Sequence, residues 1–389
     1  MKRLPFLALC LLLSACASVA PPPSPAPLFA DAAFAPPSEA VGTADLFALS
    51  PEMRAYLHSP AFAAHLREKG PKQGLLDALY SKSDLRLEYD ARTTRTAAGT
   101  YAARAGNCLS LVIMTAAFAR ELGMDVQFRS VTVDGTWTRE RGLYLLSSHV
   151  NIALGRRVVP GRYEADALHQ LVVDFLPPPQ AAHLRVRELD EGEIAALFLN
   201  NRAVETLVQD RIDDAYWWAR AAVAANPRDV TAYNTLGVIY QRHGDLVLAE
   251  RAWRAALARA PENLALLQNL APLLAQQGRM AEAREIERRV ASIEPVPPFH
   301  YFDQGLAALK EGDNDKARQL FERELKRAPY SDEFHFWLAV ALMRLGDARQ
   351  AREHLVLAVE HSARGDTRDI YSAKLAHLRR QGANGPSLQ

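Results

Sequence analysis

The chain has 389 residues, which predicts two or three domains, because a single hydrophobic core stops growing at about 250–300 residues. Its 46 lysines and arginines nearly balance its 45 aspartates and glutamates, so no overall positive charge attracts nucleic acid, and we expect no nucleic-acid partner. Hydrophobic residues make up 49% of the chain, but its one uninterrupted apolar run is too short to span a bilayer. This excludes a bundle of membrane helices.

The N-terminus has the pattern of a bacterial export signal. Lys2 and Arg3 precede an apolar stretch at 4–13, and small residues follow it. The run LSAC at 13–16 resembles the lipobox of bacterial lipoproteins, in which the cysteine becomes lipidated, so Cys16 is the predicted lipidation site. A plain signal peptide and an N-terminal membrane helix are the alternatives, but the second lacks the roughly 20 apolar residues that a bilayer requires.

The lipobox resemblance implies a location for the protein. Residues 1–15 would be a lipoprotein signal peptide, and Ala17, which follows the lipidated cysteine, is not acidic, which in such proteins implies the outer membrane. We therefore expect a cell-envelope protein that is anchored to the membrane by lipid and faces the periplasm. Residues 16–38 contain seven prolines, a density that predicts an extended, solvated spacer.

Residues 39–190 combine helical and strand patterns, which predicts an α+β domain. Apolar residues at helical spacing predict short helices within 45–80 and a longer buried helix over 109–122, with Cys108 in its first turn. Runs of β-branched and aromatic residues predict strands at 126–133, 144–154 and 170–176.

The rest of the chain repeats with a period of 34 residues, the spacing of tetratricopeptide repeats. Small alanines would lie where paired helices pack, glycines in the turns, and prolines after each second helix. We expect an all-α solenoid of about five repeats over 196–365, then a capping helix and tail over 366–389. A protein or peptide partner would bind its groove. The repeating residues are Pro227, Pro261, Pro295 and Pro329; Gly244, Gly278, Gly312 and Gly346; and Ala215, Ala249, Ala283, Ala317 and Ala351.

The segment around the central cysteine resembles a known family. Residues 93–131, TTRTAAGTYAARAGNCLSLVIMTAAFARELGMDVQFRSV, are similar to the nucleophile segment of bacterial transglutaminase-like domains of the papain superfamily, where G-N-C begins a buried helix. An H-V step at His149 and a V-D ending at Asp174 follow in the same order. The resemblance implies a catalytic triad of Cys108, His149 and Asp174.

The residue types themselves suit thiol chemistry. A thiolate is the reactive form of cysteine, and the positive end of a helix dipole at Cys108 and a nearby imidazolium both favour it. Period two places His149 and Asn151 on the polar face of their strand, and Asp174 would orient the imidazole. The Cys108 backbone N–H is the expected oxyanion donor. Other candidates remain for the base, the orienting acid and the oxyanion donor: His169 and His183; Asp166; Asn107 and Tyr101.

Two classes of function follow. The first is an enzyme that hydrolyses or transfers peptide or isopeptide acyl groups through a thioester, with repeats that recruit a protein. The second is a non-catalytic, protein-binding scaffold lipoprotein with an inactive transglutaminase-like module. Redox sensing by Cys108 is less favoured, because Cys10 would leave with the signal and Cys16 would carry lipid, so no resolving cysteine remains. We expect no metal and no cofactor, because no ligand spacing or phosphate loop occurs.

Overall fold

The computed structural model describes residues 24–80, 85, 87–90, 92–133, 137–140, 143–146, 149–155, 170–175, 184–296, 298–362 and 365–383. The predicted signal peptide and Cys16 lie outside these residues. No helix among the described residues is long and apolar enough to cross a bilayer.

The N-terminal part mixes helices and strands. Proline opens each of the first three helices, at a position where its missing N–H removes no helical hydrogen bond. The helices are α1 (Pro51–Leu57), α2 (Pro60–Lys69), α3 (Pro71–Tyr80), α4 (Ala97–Ala103) and α5 (Cys108–Glu121). The strands are β1 (Glu88–Tyr89), β2 (Ala105–Gly106), β3 (Asp125–Val133), β4 (Trp137–Glu140), β5 (Leu143–Leu146), β6 (His149–Gly155), β7 (Leu171–Val173) and β8 (Leu184–Leu189).

The main sheet is antiparallel, with the strand order β7-β6-β3-β8. The predicted strand over 144–154 is divided: β5 pairs with β4 in a hairpin, whereas β6 joins the main sheet beside β3. Strand β8, which the sequence pattern did not predict, covers the other edge of β3. Strands β1 and β2 form a separate parallel pair.

Helix α5 lies against β3 and β6 and forms the centre of the N-terminal core. Its residues from Leu109 to Ala119 are all buried, which explains why apolar residues occur on every side of the helix. Phe118 is completely buried, as is Ile152 of β6. The sheet therefore provides one wall of the N-terminal core, against which α5 packs.

A series of paired helices follows. The helices are α6 (Glu191–Val208), α7 (Ile212–Ala225), α8 (Val230–His243), α9 (Leu246–Leu257), α10 (Leu264–Gln276), α11 (Met280–Ile293), α12 (His300–Glu311), α13 (Asn314–Arg327), α14 (Asp332–Arg344), α15 (Ala348–His361) and α16 (Gly365–Ala383). Helix α6 begins five residues before the predicted start of the first repeat, at a capping box formed by Asp190 and Glu193.

The period of 34 residues has a packing origin. The recurring alanines, for example Ala215 and Ala249, are fully or almost fully buried between paired helices. The recurring glycines have positive φ angles at the turns, from 76° at Gly278 to 100° at Gly244. A Cβ added to Gly237 would lie 2.3 Å from Nε1 of the buried Trp253, so this position requires glycine.

The buried apolar residues fall into two clusters. One runs from the N-terminal part through α11, and the other begins at Phe299 and continues to Leu378 in α16. Helices α11 and α12, which lie on either side of this division, make little contact with each other. The array is thus continuous in sequence but divided in its core.

Residues 24–38, which belong to the expected spacer, lie against the repeats. They form short 3-10 turns at Ala26–Leu28 and Asp31–Ala33, and Phe34 is only 6% exposed. The prolines prevent regular sheet and helix, so backbone groups and apolar side chains of this segment remain available for contacts. Helices α7, α8 and α9 bind both. Most of these side chains are exposed, but the segment lies along the repeats and is hydrogen-bonded to them.

Candidate functional site

Each residue of the G-N-C segment has a different structural role. Gly106 lies so close to α5 that an added Cβ would be 2.7 Å from Cβ of Ser110. Asn107 is the N-cap of α5, and its side-chain oxygen accepts a hydrogen bond from the Ser110 backbone N–H at 2.9 Å. Cys108 is consequently the first helical residue, at the positive end of the helix dipole.

His149 and Asp174 meet across neighbouring strands. Nε2 of His149 lies 2.5 Å from Oδ1 of Asp174, and both side chains are 15% exposed. The Cys108 thiol lies near the same ring and acts on its pKa, and Nδ1 is the ring nitrogen left to face the thiol because Nε2 faces Asp174. The three residues predicted from the sequence are therefore brought together in the order thiol, imidazole, carboxylate.

Asn151 binds the second oxygen of the Asp174 carboxylate. It lies two residues after His149 on β6, is 5% exposed, and donates from Nδ2 to Oδ2 of Asp174 at 3.0 Å. The period-two pattern correctly placed Asn151 beside His149, but only the fold indicates that its amide binds Asp174. Asp174 thus has one oxygen for the imidazole and one for the amide.

The local charges favour a protonated imidazole. Burial lowers the pKa of His149, but the hydrogen bonds to Asp174 and Cys108 and the negative charges of both groups outweigh it and raise the pKa to about 9. At neutral pH His149 is therefore cationic. A cationic imidazole beside a thiol at a helix N-terminus is the environment in which cysteine reacts as a nucleophile.

Tyr89 is a member of the site that the sequence pattern did not identify. Strand β1 pairs with β2 so that Tyr89 stands opposite Gly106, two residues before the cysteine. Its hydroxyl lies near the Cys108 backbone N–H and the Cys108 thiol, and both act on the pKa of Tyr89. Burial and the charge of Cys108 raise the pKa of Tyr89, so the hydroxyl stays protonated.

This contact bears on the expected oxyanion donor. The Tyr89 hydroxyl lies near the Cys108 N–H, so a substrate carbonyl that binds this N–H would share the space beside it with that hydroxyl. The side chain of Asn107 is occupied by Ser110 and Thr94, while the ring of Tyr101 packs against Phe118. These contacts give Asn107 and Tyr101 structural roles.

A buried polar chain joins the cysteine helix to the repeats. Nδ2 of Asn107 donates to the Thr94 hydroxyl at 2.7 Å, and that hydroxyl donates to Oε1 of Glu205, on α6, at 2.6 Å. The Thr94 backbone N–H donates to the same carboxylate oxygen at 2.7 Å. Burial raises the pKa of Glu205 to about 7, although the bonds from Thr94 and Arg202 act to lower it.

The remaining candidates from the sequence lie outside the described residues. These are His169 and His183 as alternatives to His149, and Asp166 as the alternative to Asp174. Among the residues that the structure describes, no group of three or more histidine, cysteine or acidic side chains could hold a metal ion.

Comparisons with known proteins identify the helical part. The family model described as tetratricopeptide repeat matches residues 234–296 and 302–366. Among solved structures, TTC0263, a thermophilic TPR protein of Thermus thermophilus, is 21% identical, with a TM-score of 0.31 over 47% of this chain and 100% of that chain. No sequence among the curated proteins matches this chain.

Two further solved structures are similar over the same share of the chain. PilF of Pseudomonas aeruginosa is 22% identical, with a TM-score of 0.28, and the match covers 49% of this chain and 92% of that one. YrrB, a TPR protein with an unusual peptide-binding site, is 19% identical, with a TM-score of 0.25 over 46% and 92% of the two chains. The tetratricopeptide prediction is confirmed by the family match: the C-terminal part of the chain is an array of tetratricopeptide repeats, a module that suggests protein–protein interaction.

Proposed function

We propose that the N-terminal part is a transglutaminase-like thiol enzyme that hydrolyses or transfers peptide or isopeptide acyl groups, and that the repeats bind its protein partner. The observation that carries the proposal is that His149, hydrogen-bonded to Asp174, lies beside Cys108 at the start of a buried helix. Asn151 supports it, because an amide that fixes the carboxylate also fixes the imidazole.

The geometry supports a two-step mechanism. The Cys108 thiolate attacks the amide carbonyl, and the His149 cation gives its proton to the departing amine nitrogen as the carbon–nitrogen bond breaks. A thioester remains on Cys108, and His149 is now neutral. Water, or a second amine in a transfer reaction, gives a proton to His149 as it attacks the thioester, and the thiolate leaves.

The location is part of the same proposal. The LSAC sequence at 13–16 supports lipidation at Cys16 and an outer-membrane protein facing the periplasm. Metabolic labelling with a palmitate analogue, in a bacterial host that processes lipoproteins, would test it. We expect label on the wild-type chain and none on Cys16→Ser, and equal labelling of both would contradict the assignment.

A non-catalytic scaffold is the second candidate, and one contact favours it. The Tyr89 hydroxyl lies near the backbone N–H that an oxyanion would need. In this case the repeats alone would carry the function, and Cys108 would serve the packing of α5.

Alkylation of Cys108 distinguishes the two functions without a known substrate. The rate with iodoacetamide is measured between pH 5 and pH 10 in the full chain, with the peptide containing Cys108 followed by mass spectrometry. We expect His149→Ala to slow alkylation at pH 7 on the order of tenfold to a hundredfold, because a hydrogen bond to a charged group contributes roughly 1.5–3 kcal/mol. His300→Ala, on the distant α12, is the matched control. Equal rates in the wild type and His149→Ala would reject the pair and favour the scaffold.

A further inference from the structure

Besides the site at Cys108, the chain has a candidate binding surface on the first two repeats. Residues 27–39, here called the docking segment, cross helices α7, α8 and α9. We propose that this helical face is a recognition site for an Asp-x-x-Phe peptide, and that the chain's own docking segment occupies it in cis. The inference does not rest on the proposed enzymatic function.

The face binds the backbone of the docking segment. Side chains of three helices reach carbonyl and N–H groups along residues 27–35, so the interaction does not depend on the identity of most residues. The bonds are Arg251 to the Pro27 carbonyl (2.7 Å), Tyr240 to the Leu28 carbonyl (2.6 Å), the Ala30 N–H to the Tyr216 hydroxyl (2.9 Å), and Trp217 to the Ala35 carbonyl (2.7 Å).

Phe34 is the aromatic anchor of the docking segment. Its ring is stacked on Tyr216, with centroids 3.9 Å apart and an interplanar angle of 2°. The ring also lies 4.4 Å from the His243 ring and 5.9 Å from that of Tyr240. A buried aromatic side chain in a pocket of aromatic residues is typical of the residue that contributes most to a peptide interface.

Asp31 supplies a charged contact three residues earlier. Its carboxylate accepts hydrogen bonds from Nε of Arg220 at 2.7 Å and from the Tyr216 hydroxyl at 2.5 Å. The 3-10 turn Asp31–Ala33 brings the carboxylate and Phe34 to the same side, so both contact Tyr216. The spacing of Asp31 and Phe34 thus defines the sequence requirement of the site.

The C-terminal end of the docking segment is held by ionic contacts. Ser38 donates from its backbone N–H and its hydroxyl to Asp214, at 2.6 and 2.9 Å. Glu39 accepts from Arg202 at 3.3 Å, and Arg202 also pairs with Glu205 at 3.2 Å. An occupant of the site is therefore connected, through α6, to the polar chain that ends at the cap of the cysteine helix.

Binding of a synthetic peptide to the full chain tests the proposal. The probe is fluorescent SPAPLFADAAFAPPSE, residues 24–39, and fluorescence anisotropy is measured with the wild type and with Asp31→Asn/Phe34→Ala. The wild-type docking segment competes at the high effective concentration of a tethered ligand. We expect the double variant to bind the probe at least tenfold more tightly than the wild type does.

Two controls define the surface and the sequence requirement. A probe with the same Asp31→Asn and Phe34→Ala changes should not bind, and adding Tyr216→Ala and Arg220→Ala to the double variant should abolish binding. A folded double variant that fails to bind the probe would overturn the proposal. The proposal would also be overturned if the probe bound the wild type and the double variant equally and still bound after the Tyr216→Ala and Arg220→Ala changes.

A second measurement covers the case in which the double variant does not fold. A protease site replaces residues 40–44 of the otherwise wild-type chain, so that cleavage makes the docking segment a separate peptide. We expect the cleaved segment to remain with the chain in gel filtration and to be displaced by excess unlabelled probe. Loss of the segment immediately after cleavage would contradict the proposal.

Discussion

At the scale of single residues, the site depends on which groups carry charge. His149 has its pKa raised to about 9 by Asp174 and Cys108, against the effect of burial. A group whose pKa is higher in the folded state than in the unfolded state binds protons more tightly when folded. The stability that His149 contributes is thus complete below its ordinary value of about 6.5 and is lost as the pH rises through about 9.

The free energy of unfolding should show this dependence. We expect His149→Gln to reduce the free energy of unfolding by roughly 1–3 kcal/mol at pH 6 and by much less at pH 10, since only the cation gains from its neighbours. Urea unfolding of both proteins at these two pH values measures the difference. A difference that is the same at both would show that His149 contributes through packing instead of charge.

Tyr89 should support the reactive form of Cys108. Its hydroxyl can donate to the thiolate while it accepts from the backbone N–H. We expect Tyr89→Phe to slow alkylation of Cys108 at pH 7 by about tenfold, because one charge-assisted hydrogen bond is lost. Tyr301→Phe, in α12, is the control. Faster alkylation in Tyr89→Phe would indicate that the hydroxyl shields the thiol instead of supporting its reactive form.

At the scale of secondary-structure elements, α5 and α6 are joined by Glu205. This carboxylate receives two hydrogen bonds from Thr94, whose side chain is 2% exposed. We expect Glu205→Leu to destabilise the protein by about 2–4 kcal/mol, since it leaves two buried donors unsatisfied, each at a cost of about 1–3 kcal/mol.

Glu205→Gln is the matched control, because its amide oxygen can still accept from Thr94. Thermal unfolding followed by circular dichroism, together with Cys108 alkylation, measures both effects. We expect the leucine variant to react more slowly than the glutamine variant, since the Asn107 cap loses its support. Equal melting temperatures for the two variants would show that the bonds to Thr94 contribute nothing.

At the scale of the whole molecule, the division of the core predicts two cooperative units. The first includes the N-terminal part and the repeats through α11, and the second begins at Phe299. Since α11 and α12 make little contact, the unfolding of one unit removes few contacts from the other. We therefore expect two transitions in calorimetry.

A core substitution in the second unit tests this expectation. Phe321 is fully buried there, so Phe321→Ala should cost about 3–5 kcal/mol and lower the midpoint of only one transition. Phe118→Ala, in α5, should lower the other midpoint instead. A single transition that both variants shift equally would mean that the array folds as one unit.

The sequence alone determined the features that depend on local spacing. The period of 34 residues identifies the repeats, because every unit must provide a small residue, a turn and a helix end at the same positions. The G-N-C segment predicted the start of α5, because capping and close approach need particular residue types. Alternation along β6 predicted that His149 and Asn151 share a face.

Only the tertiary structure decided the contacts between distant segments. Strand β8 alternates apolar and charged residues only from Leu184 to Arg187, before a second charged residue at Glu188, and becomes a strand through pairing with β3. The contact of Tyr89 with Cys108, the bond of Glu205 to Thr94 and the docking of Phe34 on Tyr216 join residues 19 to 182 positions apart. No local pattern records such pairs, because side chains far apart in sequence interact only after the backbone has brought their elements together.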